Sequence, residues 1–186
     1  MSEDIIVKQC APTLAGVKTG NLFTCPYDSK EELIKDIRRV NKLLVPKGLC
    51  LCPLKYSKTF CLLYLYRPKS LKEDFENEEI QNLLKENGYK QTTYERCIGQ
   101  LARRMTRDLK NSDFPHEIGL FLGYPPEDVK GFIENKAENY KMSGLWKVYG
   151  DKEKAESLFA KYKKCTEIYC NMWKSGASLD ELAVQN

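Results

Sequence analysis

The heptapeptide FCLLYLY, residues 60 to 66, places the tightest limit on what this chain can fold into. Successive side chains of a strand face opposite sides, and here both sides are apolar, so neither can be left in water. A strand of that kind belongs inside a sheet covered by helices on both faces. The segment GLCLCPLKYSKTFCLLYLYRP, which contains it, reads as a hairpin: two runs rich in Leu, Tyr and Cys flank the polar turn KYSK. GNLFTCP and GLWKVYGD supply two further short strands.

The helices announce themselves by their first turns. Ser29 followed by Glu32 makes a capping pair, and Leu33, Ile37, Val40 and Leu44 then fall on one face before Pro46 and Gly48 end the run. Ser70 with Glu73 predicts a second helix ending at Gly88, and Thr92 with Glu95 a third, whose apolar stripe is Cys97, Ile98, Leu101, Met105 and Leu109. Gly99 inside the third helix costs about 1 kcal/mol against alanine, which predicts a close backbone approach there. A long helix follows from Lys152 to about Ser175, with Ala155, Leu158, Phe159, Tyr162, Tyr169, Met172 and Trp173 as its buried side, and Ser178 caps the final SLDELA. Strands mixed with helices and without repeats predict an α/β (or α+β) fold: a single compact domain over residues 1–186, with a small mixed β-sheet flanked by about five to seven helices.

Composition narrows the function classes. With 42% hydrophobic and 30% charged residues the chain is of globular type. No apolar run approaches the ~20 residues that cross a bilayer. The start MSEDIIVKQC carries acidic residues where a secretory signal would be basic and apolar, so a cytoplasmic location is expected. In that compartment the eight cysteines stay reduced. No C-x-x-C occurs and there is one histidine, so the cysteines read as small buried hydrophobes rather than metal ligands. A net charge of +4 does not by itself imply a nucleic-acid or membrane partner. The basic row Arg96, Arg103, Arg104, Arg107 and Lys110 reads as a solvated helix face, since no aromatic residues are interleaved to stack on bases.

Two stretches are candidates for chemistry. In KQCAPTLAGVKTGNLF, Pro12 reads as the first residue of a short helical turn over Ala11 to Ala15 that Gly16 ends, leaving Cys10 at the cap. A thiol there would be drawn towards thiolate by the peptide dipoles. The plainer reading has Cys10 ending an N-terminal strand and packing in the core. Lys18 to Gly20 form a small loop able to hold an anion, though without a P-loop pattern. In NSDFPHEIGLFLGYPPEDVKGF, Asp113 reads as a cap, Pro115, His116 and Glu117 as the first helical turn, and Gly123 as its end before Pro125 and Pro126 begin the next. A helix N-terminus disfavours the imidazolium, which would keep His116 neutral as a base or ligand. Glu117 is explained as a carboxylate favoured by the dipole, and Trp146 and Tyr149 are candidates to line a pocket.

The blocks CAPTLAGVKTGNLF, FPHEIGLFLGYPPEDVKGFI and GLWKVYGDKEKAESLFAKYKKC together resemble an uncharacterised family of small proteins from anaerobic bacteria, a domain of unknown function. The resemblance covers nearly the whole chain and carries no established activity. Its motifs fall on Cys10, Pro12, Thr13, Gly16, Lys18, His116, Glu117, Gly119, Gly123, Tyr124, Pro125, Trp146, Lys147 and Tyr149. It implies a role around iron or redox metabolism.

Two hypotheses follow. In the first, the chain is a cysteine-dependent or redox-linked protein with Cys10 as nucleophile or thiolate ligand, His116 as base and Glu117 orienting it. In the second it is a non-catalytic binding protein for a small ligand, a metal or haem-like cofactor, or a protein partner, using Thr13, Lys18, Tyr124, Trp146 and Tyr149.

Overall fold

The computed structural model describes residues 1–90, 93–106 and 114–185. Its elements run α1 (Glu3–Leu14), β1 (Gly20–Pro26), α2 (Lys30–Leu44), a 3-10 turn (Val45–Lys47), β2 (Cys50–Tyr56), β3 (Phe60–Tyr66), α3 (Pro68–Asp74), α4 (Glu78–Glu86), α5 (Tyr94–Thr106), α6 (Ile118–Phe121), α7 (Pro126–Glu134), β4 (Met142–Ser143), β5 (Lys147–Val148), α8 (Lys152–Lys174) and α9 (Leu179–Leu182). The fold is mixed α/β.

FCLLYLY forms β3, the middle strand of a sheet in the order β1-β3-β2. Its alternation separates two cores. Cys61, Leu63 and Leu65 join Phe23, Cys25 and Leu51 beneath α1, α2 and α9, while Leu62, Tyr64 and Tyr66 join Leu22, Cys50 and Cys52 beneath α3 to α7. A central strand apolar on both faces is thus a strand that serves two cores. Both its neighbours are antiparallel, with Phe23 opposite Leu63 and Leu51 opposite Leu65, so the sheet expected as mixed is antiparallel throughout. Pro53 sits where the β2 register shifts, on an edge strand, the place where a residue without an N–H is tolerated.

Ser29 accepts a hydrogen bond from the Glu32 amide and starts α2, and Ser178 with Glu181 forms a complete capping box on α9. The helix expected from Ser70 divides in two. Pro68 leads α3, and Asn77 caps α4 through its side chain, accepting from the amides of Glu79 and Ile80. The Thr92 cap, Leu109 and the Asp113 cap lie outside the described residues, as do Arg107 and Lys110. A Cβ added at Gly99 would meet nothing within 4 Å, so no close backbone approach explains that glycine. On α8 only Ala155 and Tyr162 are buried, Leu158, Phe159, Tyr169 and Trp173 are half-buried, and Met172 is exposed. Among the described residues no helix is long and apolar enough to cross a membrane.

Candidate functional site: an aromatic cavity beside a lysine cleft

The expected cap at Cys10 is absent, and so is the expected N-terminal strand. Ile6, Val7, Cys10, Ala11 and Leu14 are spaced as a helix stripe, and all are buried along α1, which starts with Glu3 and Asp4 in its first turn. Pro12 lies inside the last turn, and Gly16, at a φ of 73°, terminates the helix while the Val17 and Lys18 amides donate to the Pro12 carbonyl. Cys10 therefore sits in the third turn of a helix, where no free N–H groups face it. Its thiol is fully enclosed among aliphatic neighbours, and burial pushes its pKa well above the ordinary thiol value, with only Lys18 opposing. A thiolate is disfavoured there. Under native conditions a maleimide is expected to modify the half-buried Cys50, Cys165 and Cys170 well before Cys10, by mass mapping. Selective early labelling of Cys10 would refute this account of its environment.

His116 and Glu117, neighbours in sequence, go to different places. Residues Pro115 to Glu117 form a turn whose carbonyls receive the amides of Ile118, Gly119 and Leu120, and α6 is a single helical turn with no side-chain cap. The dipole of four residues is too short to carry the argument for a dipole-neutralised imidazole. The His116 ring is exposed and lies between Phe114 and Phe132, at centroid distances of 5.4 and 4.9 Å. Glu117 is 1% exposed and turns inward, accepting a 2.9 Å hydrogen bond from the Tyr89 hydroxyl and pairing with Arg104 at 3.3 Å. Arg104 also donates to the Asn87 carbonyl and lies against the Tyr89 ring. Glu117 stands at the N-cap position of α6, but its side chain neither caps that turn nor bonds His116. It is the buried anion that ties α5 to the start of α6, and Arg104 leaves the solvated row to pair with it, while Arg103 stays exposed. Among the described residues no hydrogen bond, ion pair or ring contact joins Cys10, His116 and Glu117 to one another, so the proposed triad is not assembled.

Trp146 and Tyr124 do come together. Tyr124, held by its amide bond to the Gly119 carbonyl, stacks on Trp146 at 4.6 Å, and Phe159 meets the other ring edge-on at 4.4 Å. Trp146 lies in the β4–β5 loop rather than in a strand. That loop is fixed by a residue sequence analysis passed over. Asp128 on α7 is 3% exposed and accepts three bonds: the Trp146 indole N–H at 2.7 Å, the Tyr149 amide at 2.7 Å and the Gly150 amide at 2.8 Å. Two glycines allow the approach. A Cβ at Gly131 would lie 2.4 Å from the Tyr149 ring, and one at Gly144 would lie 2.2 Å from the Phe159 ring.

The result is a cavity of about 340 Å³ whose walls are Phe114, His116, Tyr124, Val129, Phe132, Leu145 and Trp146, with Gly119, Asp128, Ser143 and Lys147 among its other lining residues. Lys147 is engaged by the Ala137 carbonyl at 2.6 Å and by the Tyr140 ring, and both oxygens of Asp128 are engaged by its three donors. His116 and Ser143 are left as polar lining groups without a hydrogen-bond partner among the described residues. Tyr149 does not line the cavity; its hydroxyl bonds the Glu138 carbonyl at 2.9 Å, and its ring packs on Gly131. Thr13 is fully buried and donates to Asn21 Oδ1 at 2.7 Å, and Lys18 faces a separate cleft on the other side of Tyr124. Among the described residues no group of three or more His, Cys, Asp or Glu side chains is placed to hold a metal ion.

No curated protein and no solved structure matches the chain. One family does, described as Protein of unknown function (DUF3793), over residues 6–183, a span that contains the aromatic cavity, the lysine cleft and all three sequence blocks. The chain belongs to that family.

Proposed function

We propose that the protein is a non-catalytic binding protein that holds a small, largely apolar and planar ligand in the cavity between Tyr124, Phe132, Leu145 and Trp146. The observation that carries this reading is the aromatic cavity, whose Trp146 wall is fixed by the buried Asp128 carboxylate. A wall built by stacking Tyr124 on Trp146 and clamping Trp146 to Asp128 is organised before any ligand arrives, so little ordering cost opposes binding. The size is that of a small-molecule pocket, apolar with a few polar groups. His116 and Ser143 are the groups that would orient a polar substituent. The thiol chemistry of the first hypothesis finds no such support, because the sulfur is enclosed and its ionisation opposed by burial.

The test uses 8-anilinonaphthalene-1-sulfonate, an apolar aromatic probe, with the full chain. Saturable enhancement of the dye's emission is expected, together with energy transfer from tryptophan. Leu145, 56% exposed at the mouth, can be changed to Asp without disturbing the core. Leu145→Asp is expected to weaken dye binding at least tenfold, because an apolar contact is replaced by a carboxylate that must be desolvated. Val45→Asp, at an equally exposed residue distant in sequence and outside the cavity lining, is expected to leave it unchanged. Equal weakening by both, or none by Leu145→Asp, would rule out this cavity as the binding site.

A further inference from the structure

On the far side of Tyr124 a second cleft, of about 990 Å³, opens between α1 and α8. It shares Tyr124, Gly144 and Leu145 with the aromatic cavity but differs in charge. Lys8 and Lys18, and on α8 Lys163 and Lys174, line it against a single carboxylate, Glu167. Lys8 is already paired with Asp4 at 2.7 Å. Lys18 is not: it is half-buried, and its ammonium lies 5.1 Å from the centroid of the Tyr124 ring and 5.9 Å from that of Tyr162, with no ion pair among the described residues. Ring faces attract a cation but do not neutralise it. Beside it Asn21 lines the same cleft, its Oδ1 committed to the Thr13 hydroxyl at 2.7 Å, which leaves the Nδ2 hydrogens for something else. A desolvated cation without a counter-ion, next to an amide whose acceptor end is tied back, is a set of donors lacking an acceptor.

We propose that this cleft binds a small organic anion, a carboxylate or a phosphate, whose charge is met by Lys18 Nζ and Asn21 Nδ2, with Tyr124 and Tyr162 flanking the lysine. Thr13 is a positioning residue that holds the Asn21 amide. The lysine's environment agrees with this arrangement. Burial draws the Lys18 pKa down to about 8, opposed only by Cys10, so the site without an anion holds its positive charge weakly and gains from a negative ligand. The cleft shares Leu145 with the aromatic cavity and the dye is a sulfonate, so Lys18→Met tells the two sites apart: Lys18 lies outside the cavity lining, and its loss is expected to leave dye binding unchanged while weakening the anion.

The experiment is titration of the full chain with succinate and, separately, with inorganic phosphate, followed by amide and side-chain NMR. Saturable shifts at Lys18 and Asn21 are expected for at least one anion at millimolar concentration, and the ratio of the two affinities decides between carboxylate and phosphate. Lys18→Met is expected to weaken the preferred anion at least tenfold, and Asn21→Asp, which supplies Lys18 with an internal carboxylate, by a similar factor; circular dichroism confirms that each variant is folded. Succinate, whose charge is constant above neutral pH, is expected to lose affinity from about pH 8, where Lys18 of the empty site deprotonates, and to level off only above the higher pKa that the bound anion gives the ammonium. Lys8 on α1, Lys163, Glu167, Cys170 and Lys174 on α8, and the Cys10 thiol behind the lysine are the other titratable groups facing it among the described residues, along with Tyr124 and Tyr162. Absence of saturable shifts with both anions, or binding unchanged in folded Lys18→Met and Asn21→Asp, would overturn the proposal.

Discussion

Asp128→Asn is expected to release the β4–β5 segment, abolish dye binding in the aromatic cavity, and raise hydrogen exchange at the Tyr149 and Gly150 amides by roughly a hundredfold. One carboxylate currently accepts from an indole N–H and two backbone amides. Asparagine is nearly isosteric but has one oxygen where aspartate has two. If that oxygen faces the two amides, its NH2 group meets the Trp146 N–H, donor against donor; if it turns, both amides lose their acceptor. Hydrogen bonds to a charged group are worth about 1.5–3 kcal/mol each, so losing one or two and leaving a buried donor unpaired costs about 3 kcal/mol. The packing of Trp146 between Tyr124 and Phe159 needs the loop that Asp128 holds, and the segment's own backbone pairing is weak. Its sheet is only the two pairs Met142 to Val148 and Ser143 to Lys147, and a ribbon that short is not stable alone. The loss is therefore expected as local opening, at about 1.36 kcal/mol per tenfold in exchange. The α2 amides, on the other side of the three-stranded sheet, are the control. Unchanged exchange at Tyr149 and Gly150 would mean that Asp128 does not hold the loop.

How legible these features were depends on how far each signal travels along the chain. Ser29 and Ser178 each act on an amide three residues on, and β3 declared both its faces by composition, so the layers of the fold follow from short patterns. Reading Pro12 as a helix start was a local inference overridden by a longer one. The stripe Ile6, Val7, Cys10, Ala11, Leu14 was present, and the burial of that whole face outweighs one missing N–H in the last turn. The break at Asn77 was missed for the opposite reason: an internal cap was hidden in an acidic run that reads as continuous helix. Glu117 and Asp128 both lie at positions where a helix dipole accounts for a carboxylate, which concealed that their partners are Tyr89, Arg104 and Trp146, 28, 13 and 18 residues away. Only tertiary structure brings such groups together.

The buried cation that organises the opposite layer leads to the second large expected effect: Arg67→Met lowers the melting temperature by roughly 6–12 °C and frees the C-terminal segment, while Arg67→Lys falls between. Arg67 follows β3 at the start of α3 and is 1% exposed, yet among the described residues no carboxylate pairs with it. Its Nε donates to the Thr13 carbonyl at 2.8 Å, and its Nη2 to the carbonyls of Leu14 at 2.7 Å and Val184 at 2.8 Å, with a longer contact to Lys47 at 3.4 Å. The charge is thus met by the negative end of α1 and by a chain end folded back over it. All three carbonyls lose their side-chain donor in the methionine variant; Thr13 and Leu14 keep one backbone donor each, from Gly16 and Val184, and the Val184 carbonyl keeps none among the described residues. Losing three charge-assisted bonds, less the relief of a buried cation's desolvation, comes to about 3 kcal/mol, and about 2–4 °C per kcal/mol applies to a chain of this length. Lysine keeps the charge but not the planar fork that spans three carbonyls from two directions, hence the intermediate rank. Calorimetry gives the order of the three proteins, and limited proteolysis after Ala183 reports the freed end. A methionine variant as stable as the parent would show that desolvating this guanidinium costs as much as its bonds return, leaving the end of α1 and the C-terminal turn held by the apolar contacts of Leu14, Leu179 and Leu182 alone.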